Sequence, residues 1–434
     1  MVTKLKIPPL KSWEKVKEVN NAYNEAIVQA RKRGMPVILH TAMFPVELIQ
    51  CFNVVGVPGE WYGSICGNVV AVDLLEAAER SGYNRQVCAY SRMCIGSAIT
   101  GRSFLGEFPE PDAVLGIEGE CNVHIKWFEA VARYCNAPFF AMDAAPCYVY
   151  PLSNWGEAAE RAAVEYFLKQ EYDYIDFMEK VTGQKLKEEN LINAFITARR
   201  NGKLWDDISD LWRAVPSPIS IRRLFTYENL VVSLLCKPET TEVLTALKEE
   251  LAERVAQGIE GVPGERIRLF WDAQPPWYNM KMLEYFEKNG AVFVVSPYLS
   301  DFGNGNYINL YDKTVGKWLT EWREPESLEE CLWEMAKFYT ARHTRPRLRA
   351  QIAEVIEMAK EGKVDGLVWH YVRGCKNVSF GQLEKKSAVQ EALGLPGLII
   401  EGSPADPREF SESSVRNQID IFLEQILADK GFER

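Results

Sequence analysis

Three cysteines each follow a short apolar run. Ala113-Val-Leu-Gly-Ile117 precedes Cys121, Pro138-Phe-Phe-Ala-Met142 precedes Cys147, and Asp365-Gly-Leu-Val-Trp369 leads through Arg373-Gly374 to Cys375. Runs of this length, bounded by turn residues, read as buried parallel strands. In an open α/β sheet, chemistry gathers beyond the carboxyl ends of the strands. Thiolates are metal ligands, so these positions read as one metal site gathered from distant sequence. Cys66, Cys88 and Cys94 also fall in predicted loops or turns just after predicted elements. Cys51, Cys135, Cys236 and Cys331 fall inside predicted helices or strands, as small buried thiols do. Position alone leaves two readings of the first six, as ligands or as ordinary loop thiols.

Other chemistries lack their motifs. There is no Gly-x4-Gly-Lys-Ser/Thr loop for nucleotide phosphates and no Gly-x-Gly-x-x-Gly after a strand. His-Glu-x-x-His and Gly-x-Ser-x-Gly are also missing. The formal charge of −10 over 434 residues does not favour nucleic acid as a partner. The first residues have no apolar signal core, and no apolar run approaches a membrane span of roughly 18 residues. A cytoplasmic protein without disulfides is therefore expected.

The elements that must position these thiols follow from periodicity. Helical spacing runs from Ser12 to Arg33, and strands are predicted at 36–39 and near 53–58. A helix at 73–81, the strand at 113–117, a helix at 123–134 and the strand at 138–142 continue a βα alternation. Residues 155–214 read as almost entirely helical, followed by a helix over 241–257. A second βα series starts at Ile267-Arg-Leu-Phe-Trp271 and ends with a helix near 413–428. The expected fold class is α/β, with two doubly wound parallel-sheet domains and an additional helical segment. The expected boundaries are 1–152, 153–258 and 259–434.

Several segments resemble the 2-hydroxyacyl-CoA dehydratase and benzoyl-CoA reductase family. They are Pro45-Val-Glu-Leu-Ile49, Ser81-Gly-Tyr83 with Cys88-Ala-Tyr-Ser-Arg92, and Cys121 with Lys126-Trp127-Phe128-Glu129. Glu265-Arg-Ile-Arg-Leu269 with Pro275-Pro276-Trp277, Asp365-Gly-Leu-Val368 with Arg373-Gly-Cys375-Lys376, and Ala405-Asp406-Pro407-Arg408-Glu-Phe410 follow in order. The resemblance implies flavodoxin-like domains and a [4Fe-4S] cluster held by Cys88, Cys121 and Cys375. It also implies a separate ATP-hydrolysing activator, with its own [4Fe-4S] cluster, as electron donor. Beyond this pattern the chain has Cys66, Cys94 and Cys147, which makes it most similar to the double-cubane branch of the family. That branch implies a homodimer and an [8Fe-9S] cofactor on six cysteines.

The resemblance thus implies a low-potential iron–sulfur reductase acting on a small molecule at a double cubane. The alternatives are a one-cluster subunit acting on a CoA thioester, and a non-catalytic electron store. Glu60 is a candidate proton donor, or an ordinary loop acid. His40 and Thr41 end the first strand, where they serve acid–base chemistry or cap a turn. Arg373 and Lys376 are candidates for tuning the cluster, or for binding the activator or a terminal phosphate. His370 is a candidate relay, or a satisfied core histidine.

Overall fold

The computed structural model describes residues 8–118, 121–143, 156–300, 302–303, 322–343 and 348–431. Cys147 and the glycine-rich stretch after Gly303 lie outside them. The first sheet has four parallel strands in the order β2-β1-β5-β6. These are β1 (Val37–His40), β2 (Val55–Pro58), β5 (Ala113–Glu118) and β6 (Phe139–Asp143). A small antiparallel hairpin, β3 (Arg102–Ser103) with β4 (Gly106–Glu107), sits aside from it. The second sheet is β10-β9-β7-β8. It comprises β7 (Ile267–Asp272), β8 (Ala291–Val295), β9 (Gly366–Val372) and β10 (Gly397–Gly402). The first sheet runs 2-1-3-4 when numbered within itself, the flavodoxin-like order, and the second runs 4-3-1-2, the same order read from its other edge. The fold is thus α/β, built on two flavodoxin-like parallel sheets. Strands β7 and β8 are buried along their whole length, as a sheet covered on both faces requires.

In the N-terminal half, α1 (Ser12–Gln29), α2 (Val46–Gln50), α3 (Gly59–Asn68), α4 (Val72–Arg80), α5 (Ala89–Thr100) and α6 (His124–Cys135) surround the sheet. The predicted middle region forms α7 (Gly156–Thr182) and α8 (Glu188–Trp212). Phe167, Tyr174 and Phe195 from these helices pack on Ile38, Leu115 and Ile117 of the first sheet. The helix Leu328–His343 joins the same core through Leu332, Met335 and Tyr339, although it follows β8 in the chain. Among the described residues no helix is long and apolar enough to cross a membrane.

Two local readings are corrected here. The stretch from Gly59 to Gly67, expected as a loop, is the body of α3, so Cys66 lies in a helix. Cys94, expected in a turn, is inside α5. The reason is packing at a spacing of four. A Cβ on Gly59 would come within 2.6 Å of Phe128, one on Gly63 within 2.8 Å of Tyr90, and one on Gly67 within 2.8 Å of Ala405. A bare stripe along α3 lets three neighbours close in, and that tertiary gain outweighs the low helix propensity of glycine.

The two sheet units are clamped by buried charge. Arg92 on α5 donates to Glu79 (2.7 Å) and to Asp406 (3.1 Å), and Arg408 donates to Asp406 (2.9 and 2.7 Å) and to Glu79. Burial alone would raise the Asp406 carboxyl, but the Arg408 and Arg92 guanidiniums hold it below the usual aspartate value. A depressed carboxyl contributes stability above its unfolded pKa and loses it as pH falls through the folded one. Asp406→Asn leaves Arg92 without its fully buried partner and is expected to cost about 3 kcal/mol at pH 7. The penalty should shrink below pH of about 4, where the unfolded carboxyl also protonates. Urea denaturation of the anaerobic protein at the two pH values checks this; equal penalties at both would refute it.

Candidate functional site

In both sheets the strand order reverses between the first and third strands of the unit, which opens a crevice beyond their carboxyl ends. In the first sheet that crevice lies past β1 and β5; in the second, past β7 and β9. The residues past these four strands share one cavity of about 630 Å³. Ala42 and Met43 follow β1, Cys121 follows β5, Asp272 to Gln274 end β7, and Cys375 follows β9. Helix α1 and the segment 222–232 form further parts of its wall.

Cys88, Cys121 and Cys375 all line this cavity. Each stands ahead of a helix. Cys88 directly precedes α5, Cys121 lies three residues before the start of α6, and Cys375 precedes the short helix Lys376–Ser379. Burial pushes the Cys88 thiol up, and the neighbouring Cys375 and Cys121 push it further. Thiols close enough to oppose one another's ionisation are what a shared metal centre needs, because bound metal removes that repulsion. The approach depends on Gly374. Its φ of +76° suits glycine, and a Cβ there would sit 3.2 Å from the Cys88 backbone. Three thiols on one cavity wall are the donor type an iron–sulfur cluster takes, although among the described residues no three His, Cys, Asp or Glu side chains are placed to hold a single metal ion.

A carboxylate–imidazole pair stands beside the thiols. Glu60, in the first turn of α3, accepts from the Ala42 amide (2.7 Å) through one oxygen. Its other oxygen lies 2.6 Å from His124 Nε2. Burial works against charge on His124, but Glu60 and then Cys121 outweigh it and raise the imidazole well above its usual value. His124 thus stands as an imidazolium beside Glu60, and both members line the cavity.

The remaining predicted residues are placed differently. His40 is buried at the end of β1, its Nδ1 2.8 Å from the Thr41 carbonyl, and burial lowers it to about 4 despite the Glu60 charge. It is neutral at neutral pH. Thr41 is fully buried, and its hydroxyl has no partner among the described residues. Neither lines the cavity. His370 is buried with Nδ1 2.5 Å from the Gln274 carbonyl, and burial lowers it to about 4, as befits a core histidine. Arg373 is half exposed and paired with Glu401 (2.8 Å), and Lys376 is exposed; both lie outside the cavity wall.

Cys66 and Cys94 come near one another where α3 packs on α5, both fully buried. Cys66 lies against Tyr62 and the Phe104 backbone, and burial pushes its thiol up to about 12. Cys94 lies against Trp127 and close to Glu60, both of which line the cavity. The structure therefore places Cys88, Cys121 and Cys375 on one cavity wall and leaves Cys66 and Cys94 out of it.

Four further cavity residues escaped the sequence reading: His124, Glu228, Asp272 and Tyr298. The Cys121-x-x-His124 spacing was a usable signal for the first. The others come from segments whose fold alone brings them to the cavity. Asp272 accepts from Gln382 (3.0 Å) and faces Lys385 (3.5 Å), and it precedes Ala273, whose φ of +70° is rare outside glycine. Backbone held in this region is a known mark of functional sites.

The family model described as 2-hydroxyglutaryl-CoA dehydratase, D-component, matches residues 41–426. The chain is similar to the (R)-2-hydroxyisocaproyl-CoA dehydratase alpha subunit of Clostridioides difficile, with 28% identity covering 94% of each chain. It is 25% identical to the lactoyl-CoA dehydratase subunit alpha of Anaerotignum propionicum, over 92% of this chain and 93% of that one. It is 23% identical to a benzoyl-CoA reductase subunit of Thauera aromatica, over 88% of this chain and 86% of that one.

Proposed function

Because the chain belongs to the 2-hydroxyglutaryl-CoA dehydratase D-component family, we propose that it is the cluster-bearing subunit of an enzyme acting on an acyl-CoA thioester. One [4Fe-4S] cluster is carried by Cys88, Cys121 and Cys375. The observation that carries this reading is the convergence of those three thiols, from separate parts of the chain, on the cavity that also holds Glu60 and His124. When bound, the cluster supplies single electrons at low potential and an iron with an open position. The chain supplies the rest. Apolar walls from Trp61, Val123, Trp127 and Trp277 exclude water around the acyl group. The Ala42 amide and His124 fix the Glu60 carboxylate, and the imidazolium holds a proton at the cavity edge. Electrons come from a separate ATP-hydrolysing activator, in keeping with the missing P-loop.

The Cys66–Cys94 neighbourhood favours a second reading, the double cubane, because the two thiols stand near one another and Cys94 lies close to Trp127 and Glu60 of the cavity wall. That reading requires Trp127 and Glu60 to make way.

The deciding experiment combines the anaerobic protein with an activator, ATP and a strong reductant, and offers 2-hydroxyacyl-CoA and aromatic acyl-CoA thioesters. Mass spectrometry should show loss of water or gain of two hydrogens in a thioester. Conversion of acetylene or azide instead, with every thioester untouched, would overturn the reading.

A further inference from the structure

The cavity holds three carboxyl groups, and two of them face a cation. Glu60 pairs with His124, and Asp272 faces Lys385. Glu228, on the short helix Glu228–Val232, lines the same cavity and is 7% exposed. Among the described residues it has no ion pair, and its hydrogen-bonding neighbour is the Tyr298 hydroxyl. The titratable groups facing this part of the wall are Tyr298, Tyr90 on α5 and Glu60, none of them a cation. Tyr90 is itself engaged, accepting from Trp277 Nε1 at 2.5 Å. The cations of the wall are committed elsewhere: His124 pairs with Glu60 and Lys17 with Glu14. Arg222 binds Glu284 and Glu287, and Arg223 lies over the Trp13 ring.

A buried carboxylate without a cation is costly, whereas a buried carboxylic acid with one hydrogen bond is not. Burial accordingly raises Glu228 to about 8, with Tyr298 opposing. The other two cavity acids each face a cation.

We propose that Glu228 is a proton donor of this cavity, a buried carboxyl with no cation paired to it, oriented by Tyr298. This rests on the reading of the cavity as an acyl-thioester site. Tyr298 donates to one carboxyl oxygen, and the acid proton sits on the other. In a dehydration, the substrate C–O bond breaks with its electron pair going to oxygen. Glu228 gives that oxygen a proton, water departs, and Glu228 is left as a carboxylate. The proton removed from the substrate carbon chain restores the acid, so the sum is loss of one water. The electron supplied by the activator enters before this step and leaves after it, and the proton transfer is redox-neutral.

Infrared difference spectra of the anaerobic protein, wild type against Glu228→Gln, test the acid directly. The expected result is a protonated-carboxyl band at pH 7 that disappears as pH rises through about 8 and is missing from the variant. A second readout is the melting temperature. A raised carboxyl contributes stability below its unfolded pKa of about 4.3 and loses it up to about 8. Glu228→Gln, which does not titrate, should therefore gain on the wild type steadily between those values and level off above. With activator, ATP and a 2-hydroxyacyl-CoA, Glu228→Gln should lose about 100-fold or more in kcat with little change in KM. No carboxyl band at pH 7, or wild-type kcat in the variant, overturns the proposal. A wild type that turns over no thioester sinks the substrate reading instead, and the infrared titration then decides the state of Glu228 alone.

Discussion

Cys375→Ala is expected to strip the protein of iron and abolish turnover, while Cys66→Ala and Cys94→Ala keep both. The three substitutions remove the same atom, so the contrast isolates position. Cys375 is partly accessible, lies on the cavity wall and stands close enough to Cys88 to raise its thiol. Losing it leaves a three-thiolate site with two ligands from the N-terminal sheet unit and none from the C-terminal one. A [4Fe-4S] cluster needs thiolates on most of its corners, so iron should fall from about four per chain to near zero. Cys66 and Cys94 are small buried side chains in the α3–α5 contact, and their loss costs packing energy on the order of 1 kcal/mol. Anaerobic iron assays of the three variants decide the matter. Iron retained in Cys375→Ala, or lost in Cys66→Ala, would contradict the assignment.

Glu60→Gln should lower turnover by about 100-fold or more while leaving iron content unchanged. The amide keeps the shape, and its oxygen can still accept from the Ala42 amide. What disappears is the negative charge 2.6 Å from His124, the largest influence raising the imidazole against burial. His124 then loses its proton at neutral pH and with it the capacity to give one at the cavity edge. Steady-state rates beside iron content separate this from a folding defect. Turnover within a factor of about two of wild type would remove Glu60 from the mechanism.

Much of this was legible in the sequence, for physical reasons. Strands covered on both faces tend to be continuous apolar runs; β8 has that form, as do β5 up to Glu118 and β9 up to His370, while β7 carries a buried Arg268 and Asp272. Cys121 and Cys375 were found because an open sheet gathers chemistry past its strands. What local pattern concealed was packing across the chain. The glycines of α3 read as a loop when taken singly. At four-residue spacing they are a helix face on which Phe128, Tyr90 and Ala405 rest. Cys66 and Cys94 were grouped with the loop thiols for the same reason, and the helices that hold them turn them into the core. Glu228 and Tyr298 stand 70 residues apart in the chain, with only tertiary structure to bring them together.

Whether one cluster sits on Cys88, Cys121 and Cys375 is decided by the iron and acid-labile sulfide count of the anaerobically purified chain. About four of each per chain are expected. A count near eight irons, falling toward four in Cys66→Ala or Cys94→Ala, would rule out the single cluster and make the double cubane the cofactor.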